Sequence, residues 1–306
     1  MIGHILTLKQ LEALIWVADL GSFRKAAKHL NTTQPNISTR IAGLEKTLGV
    51  ILMERDAGSV RLTDKGRDIL HAARATLRQA EHLVEVAERP DLIHDRLRLG
   101  VTELVACTWL HSYLRRIKET YPSVFVELTV DLSRNLDRAL ASNRLDIAIM
   151  NAPFTAPVDG MIELGRFGYT WTASPNVAAE LQGPCTIKDL LPYSILTHAR
   201  HTLPFIELTE EATRMGLQTA RIVPSNSMTS CVQMVADGMG VALLPRVLVE
   251  REIAQRRLVQ LDVNWTPNAL RFAARYQTEK MTVFMNNAAE MAKDVLVAYQ
   301  ADRSSL

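Results

Sequence analysis

Apolar residues recur at helical spacing from the start of the chain. In LKQLEALIWVADL, residues 8–20, Leu8, Leu11, Ile15 and Ala18 share one helical face. Gly21 supplies a stop, and Ser22 can cap a second, shorter helix, FRKAAKHL. Ala26 and Ala27 in that helix let a neighbour approach closely. Asn31, Thr32 and Thr33 form a polar break. Thr33 is placed to cap a third helix, and Pro35 suits its first turn, where a backbone N–H needs no partner. Ile37, Ile41, Leu44 and Leu48 give this helix an apolar stripe at spacings of four, three and four, and Gly49 ends it. VILMER, DAGS and VRLT then read as a small hairpin with a glycine-containing turn.

The third helix is unusual away from its stripe. A solvated helix usually carries Lys and Glu there; this one carries Gln34, Asn36, Ser38, Thr39 and Arg40. Its first turn offers free N–H groups, which favour phosphate oxygens. Amide and hydroxyl side chains hydrogen-bond to base edges, and Gln or Asn can pair bidentately with adenine. Arg55 and Arg61 flank the hairpin tip, within reach of backbone phosphate. An ordinary three-helix bundle with a solvated face is the competing reading. The order of helix, short helix, break, Pro-started helix and basic hairpin instead predicts a winged helix-turn-helix. Its DNA face would comprise Thr33, Gln34, Pro35, Asn36, Ser38, Thr39, Arg40, Arg55 and Arg61.

From Asp64 the pattern changes. Ile69, Ala73, Leu77, Ala80, Val84 and Ala87 recur at four, four, three, four and three, close to a heptad seam. Such a helix pairs with a second copy or packs on its own domain; Arg89-Pro90 ends it. Beyond it strands and helices alternate. RLRLGV (96–101) is a strand, a helix spans about 103–119, SVFVELTVD is a strand, NLDRALASN a helix and LDIAIMN a strand. YTWTAS, SILTHA, ARIVPS, VALLP, LVQLDV and RFAARY are further strands. TSCVQMVADGMG and TVFMNNAAEMAKDVLVAY are helices, with the tail after about 301 loose. This alternation predicts a mainly parallel α/β sheet.

Composition changes the picture little. The chain has 306 residues, 47% of them hydrophobic, which suffices for two or three domains. A net charge of +2 requires any attraction to nucleic acid to come from a local patch, and basic residues do cluster between Lys9 and Lys65. Cys107, Cys185 and Cys231 lack metal-type spacing and read as free thiols in a reducing compartment, buried and structural rather than redox-active. No run of about 18 apolar residues suggests a membrane span, and no signal peptide is expected.

Candidate chemistry is sparse. Ligands of open α/β sheets sit beyond the carboxyl ends of strands, near helix N-termini. Following each predicted strand to its end gives Thr102, Ser133, Thr197, Asn226 and Ser227, suited to a small polar or anionic ligand or simply to capping helices. Glu103, beside Thr102, would disfavour an anion if it faced the cleft. His198 and His201 have no carboxylate or thiol near them in sequence, so no metal site is expected. Asp159, Ser194 and His198 form no recognisable nucleophile set. GVTELVAC lacks the Lys of a phosphate-binding loop. Trp109 and Trp171 read as core. No cofactor is expected.

The first 66 residues resemble the DNA-binding domain of LysR-type transcriptional regulators. The resemblance rests on Gly21-Ser22-Phe23, Ala26-Ala27, Gln34-Pro35, Leu44-Glu45, Leu48-Gly49, Arg55, Leu62-Thr63 and Gly66. Leu14 and Met53 stand where Phe is usual, Thr32 takes a usually aliphatic position, and Asn36 a usually small one. Tyr121-Pro122, LDIAI (145–149) and DGMGVALLP (237–245) are similar to the effector-binding domain of the same regulators. The resemblance implies a multidomain chain: a DNA-binding domain (1–63), a dimerisation linker helix (64–90), and a periplasmic-binding-protein-like effector domain (91–306). That domain would have two subdomains, 91–165 plus 269–306 and 166–268, with crossovers near 165 and 268. It also implies a cytoplasmic homodimer or homotetramer that is not an enzyme, with promoter DNA, a small effector and RNA polymerase as partners. The competing class is a cytoplasmic small-molecule-binding protein or enzyme whose basic bundle only dimerises.

Overall fold

A computed structural model describes residues 6–56, 59–87, 89–93, 95–181 and 183–304; the side chains of Arg55, Asp56, Ser59, Glu85 and residues 302–304 lie outside that description. The N-terminal apolar stripes close three helices on one another: α1 (Leu8–Leu20), α2 (Phe23–His29) and α3 (Gln34–Leu48). Leu14, Ile37 and Leu44 are wholly buried between them. Gly21 and Gly49 take φ values of 61° and 68°, the left-handed conformation that ends a helix without a Cβ clash. The stripe on α1 differs from expectation. Leu8 is 47% exposed, and the core face runs instead through Leu11, Leu14, Ile15 and Val17. Leu48, the last residue of the α3 stripe, is also exposed.

The hairpin forms from β1 (Met53–Asp56) and β2 (Ser59–Leu62), with Glu54 opposite Arg61. Its expected turn, Ala57-Gly58, lies outside the described residues. Helix α4 (Asp64–Val86) starts directly under it. Thr63 accepts the Gly66 N–H at 2.8 Å, and a Cβ on Gly66 would sit 2.1 Å from the Leu52 carbonyl oxygen, so only glycine fits.

Two five-stranded sheets follow. The first holds β3 (Arg96–Val101), β4 (Phe125–Val130), β5 (Ile147–Asn151), β6 (Gly160–Phe167) and β12 (Leu270–Tyr276), in the order β4-β3-β5-β12-β6. Helices α5 (Glu103–Cys107), α6 (Leu110–Thr120), α7 (Ser133–Ala141) and α13 (Val283–Ser304) belong to this half of the chain. The second sheet holds β7 (Tyr169–Ala173), β8 (Ile195–His198), β9 (Ile222–Ser225), β10 (Val241–Pro245) and β11 (Val259–Leu261), in the order β11-β7-β10-β8-β9. Around it lie α8 (Pro175–Glu180), α9 (Ile187–Leu190), α10 (Leu203–Arg214), α11 (Met228–Ala236) and α12 (Arg246–Ala254). The chain passes from β6 into β7 across Gly168 and returns between β11 and β12.

Three expectations need correction. The sheets are mixed rather than mainly parallel: β3 pairs parallel with β4 and β5, but β12 runs antiparallel to both its neighbours, and the second sheet repeats that arrangement. The expected helix over 103–119 is two helices, because Thr108 leaves helical geometry (φ −117°, ψ −92°) and its hydroxyl donates back to the Leu104 carbonyl at 2.6 Å. The last helix continues to Ser304 rather than ending near 301. Trp109, Trp171, Phe272 and Phe284 are buried in the core that joins the two sheets.

The linker helix packs on its own chain. Leu70 and Ala73 are buried against the N-terminal helices, with Ile69 and Leu77 beside them, while Leu83 and Val86 are about 70% exposed (70% and 71%). Arg74 on α4 binds Asp19 of α1 and lies 4.0 Å from Glu279, while the Lys280 ammonium sits 3.8 Å from Asp19. Glu81 accepts the Val283 N–H at the start of α13, 2.8 Å away. A cavity of about 750 Å³ lies among these elements, bordered by Trp16, Asp19, Arg74, Val84, Asp95 and Lys280.

Candidate DNA-reading face and ligand cleft

Packing of α3 onto α1 and α2 decides what its other side can offer. Thr33 caps it, accepting the Asn36 N–H at 3.4 Å. Gln34, Pro35, Asn36 and Thr39 are exposed and Ser38 partly so. Gln34 donates from Nε2 to Ser38 Oγ at 3.1 Å, Asn36 donates from Nδ2 to Thr32 Oγ1 at 2.8 Å, and Thr39 Oγ1 donates to the Pro35 carbonyl at 3.0 Å. These bonds hold the side chains in place while leaving other donors and acceptors to the outside. Arg40 is different. It is half-buried beside Glu12 of α1, whose carboxyl is raised by burial and pulled back by the Arg40 charge.

The wing is tied to this helix by Glu45, whose carboxylate accepts the N–H groups of Leu52 (2.8 Å) and Met53 (3.3 Å). Sequence reading missed that role; its only trace is an acidic residue one turn before the helix end. Arg61 is exposed on β2, opposite Glu54. Arg55 lies in β1, and its side chain is outside the described residues.

The second site lies between the two sheets. Thr102, at the end of β3, is 5% exposed, and its hydroxyl has no partner. Ser227 caps α11. Between them stands Glu103, the first residue of α5. It accepts from Ser227 Oγ at 2.9 Å, from the Met228 N–H at 2.6 Å and from the Thr229 N–H at 3.2 Å. A carboxylate from one half of the domain is thus seated on the first turn of a helix from the other half. Cys107 Sγ meets Thr229 Oγ1 at 3.4 Å along the same contact.

The remaining expected cleft residues separate. Ser133 donates to Asn151 Oδ1 at 2.9 Å and accepts the Asn151 N–H at 3.2 Å, joining α7 to the end of β5. Thr197 is wholly buried within β8, its hydroxyl 3.4 Å from the Leu243 carbonyl, so that hydroxyl is spent inside the sheet, unlike that of Thr102. Asn226 is exposed in the loop before α11. His198, one residue beyond Thr197, is buried with Nε2 unpartnered, and Tyr169, its ring 5.4 Å from the imidazole, has an unpartnered hydroxyl. Burial pushes His198 down to about 4, against a weaker upward pull from Glu103. The imidazole is therefore neutral at ordinary pH. Among the described residues no His, Cys, Asp and Glu cluster could hold a metal ion. Cys185 and Cys231 are buried as expected; Cys107 is exposed instead.

A winged helix-turn-helix joined by a long helix to a two-lobed α/β domain is the architecture expected of a ligand-responsive DNA-binding regulator, and the family matches decide the class. Residues 8–67 match the family described as bacterial regulatory helix-turn-helix protein, lysR family, and residues 90–296 match the LysR substrate binding domain. The chain belongs to the LysR family of transcriptional regulators: DNA-binding proteins with an effector-binding domain through which a small molecule modulates promoter binding or activation. It is 31% identical over 252 residues to a probable hydrogen peroxide-inducible genes activator of Streptomyces viridosporus, covering 80% of each chain. It is 28% identical over 295 residues to the regulator PtxR of Pseudomonas aeruginosa, covering 93% of each. In fold it is similar to a cysteine mutant of Corynebacterium glutamicum OxyR, with TM-score 0.59 and 23% identity over 97% of this chain and 96% of that one. It is also similar to full-length CbnR complexed with its target DNA, with TM-score 0.51 and 18% identity over 95% of this chain and all (100%) of that one. LysR regulators bind promoter DNA and are oligomeric. Among the described residues no helix is long and apolar enough to cross a membrane.

Proposed function

We propose that the first turns of α3 enter the major groove, with Gln34, Asn36 and Ser38 at base edges and Thr33, Pro35 and Thr39 beside them. Arg55 clamps backbone phosphate, and Arg61 carries the wing toward the minor groove. Arg40, leaning on Glu12, orients the helix rather than reading bases. The observation that carries this reading is the exposed Gln34–Ser38 pair, polar, ordered by a 3.1 Å hydrogen bond and backed by the buried Ile37 and Ile41. The cleft around Thr102 and Ser227 holds a small polar effector that alters promoter binding, with Ser133 and Asn226 at its margin. The effector acts by binding one arrangement of the subunits better than another. The protein works in the cytoplasm as a homodimer or homotetramer, with RNA polymerase as a further contact, and performs no catalysis of its own. Residues 1–63, 64–90 and 91–306 divide these tasks between DNA binding, subunit pairing and effector binding.

Gel shifts on promoter DNA across a salt series test the reading. Gln34→Ala relaxes base preference by about 1–3 kcal/mol at one position. Arg61→Ala weakens binding to all sequences and makes the salt slope shallower by about one counterion. Variants that bind like the parent would remove this face from DNA recognition.

A further inference from the structure

The contact between α5 and α11 has the form of a ligand contact. Ser227 Oγ and the N–H groups of Met228 and Thr229 converge on one carboxylate, as they would on a bound acid, yet the carboxylate belongs to Glu103 of the same chain. Ser227 is itself held for this purpose. Its backbone N–H bonds Ser225 Oγ at 3.1 Å, and its hydroxyl accepts the Ser230 N–H at 3.2 Å. Nearby, the hydroxyl of Thr102 and Nε2 of His198 are more than nine-tenths buried and have no partner. Polar atoms in that condition are costly unless something else supplies the bond.

We propose that Glu103 is a built-in occupant of the cleft's anion seat: it ties the two halves together without a ligand and bars carboxylates, leaving an uncharged polar molecule that bonds Thr102 and His198 as the class the cleft accepts. The physical reason is the charge balance. The first turn of α11 offers partial positive charge and orphan N–H groups, enough for one anion. With Glu103 in place that demand is met, and a second carboxylate in the same part-buried space meets a like charge. An uncharged ligand meets no such repulsion, and neutral His198 and Thr102 can each donate or accept a hydrogen bond. The inference rests on the proposal that this cleft is the effector site.

The test uses the full chain, sodium formate as probe and sodium chloride at equal ionic strength as control. Parent protein should melt at the same temperature in both salts. Glu103→Ala should melt at least about 3 °C lower in chloride and recover much of that loss in formate, because the small acid refills the seat. Glu103→Gln keeps the side-chain volume and loses the charge. It should melt below the parent and gain nothing from formate, since the seat stays filled. A formate shift in the parent, no formate-specific recovery in Glu103→Ala, or a Glu103→Gln protein as stable as the parent would each overturn the proposal. If the alanine variant does not fold, the glutamine variant and the parent still decide it. A promoter footprint of Glu103→Ala with and without formate separates the two readings. Thermal recovery with an altered footprint upholds both. Recovery with an unchanged footprint upholds the seat and removes the cleft from control of DNA binding.

Discussion

His198 shows how a single buried side chain sets a pH limit. Its imidazole is pushed down to about 4 by burial, so the native state binds a proton less well than the unfolded chain, whose histidine titrates near the ordinary 6.5. The stabilisation is therefore present above pH 6.5 and is lost as pH falls through about 4. A gap of that size corresponds to about 3 kcal/mol. His29, also lowered to about 4 by burial and nearby cations, adds to the same acid limb. Asp95, pushed up to about 7 by burial, works the other way, gaining stability as pH falls. The informative comparison is thus between two proteins at each pH. His198→Gln should lose less stability than the parent between pH 6.5 and 4 in urea denaturation, and parallel curves would show that this imidazole does not carry the effect. At this scale much was legible beforehand. Thr33 as a cap, Gly21 and Gly49 as stops, and the polar run from Gln34 to Thr39 follow from local spacing and local chemistry. Thr197 and Thr102 could not be told apart in the same way. Both were read as strand ends and both are buried, and only the structure shows the Thr197 hydroxyl spent on the Leu243 carbonyl and that of Thr102 left without a partner.

Elements were legible where the pattern is local and opaque where a neighbour decides. The three N-terminal helices announce themselves because each carries its own stripe, cap and stop. Strand β6 went unread. It is a sheet edge with Met161 exposed, and a register shift opposite Phe272 and Ala273 interrupts its alternation. The break at Thr108 carries neither glycine nor proline, only a hydroxyl turned back on its own helix. Helix α4 is the instructive case. Its heptad-like positions are real, but Ile69, Ala73 and Leu77 meet the N-terminal core of their own chain, while Leu83 and Val86 face out. Periodicity reports that a face is apolar, not which surface covers it. The two faces therefore separate by mutation. Leu70→Asp, at the buried leucine of the same face, should destabilise the protomer by about 2–5 kcal/mol, as for other losses of packed leucine with a charge left behind. Leu83→Asp should leave the melting temperature nearly unchanged and shift sedimentation toward monomer. A Leu83→Asp protein that stays fully associated would place the subunit contact elsewhere.

At the scale of the whole molecule, the question is how the DNA-binding end feels the cleft. Arg74 bridges α1 and α4 through Asp19, and the effector domain reaches the same spot with Glu279 and Lys280. Burial raises the Asp19 carboxyl despite Arg74 and Lys280, and burial lowers the Lys280 ammonium despite Asp19, so each charge depends on the other for its place there. Such a cluster is weak evidence for net stability but a strong determinant of arrangement, because removing one partner leaves the rest uncompensated. Lys280→Glu puts a third carboxylate beside Asp19 and Glu279, with Arg74 in contact to balance them and Arg98 beyond it already paired with Asp146. The loss should be about 3–5 kcal/mol of docking free energy, enough to free the N-terminal domain from the effector domain while each keeps its own core. X-ray scattering should then show a larger radius of gyration with unchanged helical content by circular dichroism. Lys280→Met, which removes the charge without reversing it, should expand the particle less. If both variants scatter like the parent, the cluster does not hold the domains together, and signals from the cleft must reach the DNA-binding helices through α4 and the Glu81–Val283 bond instead.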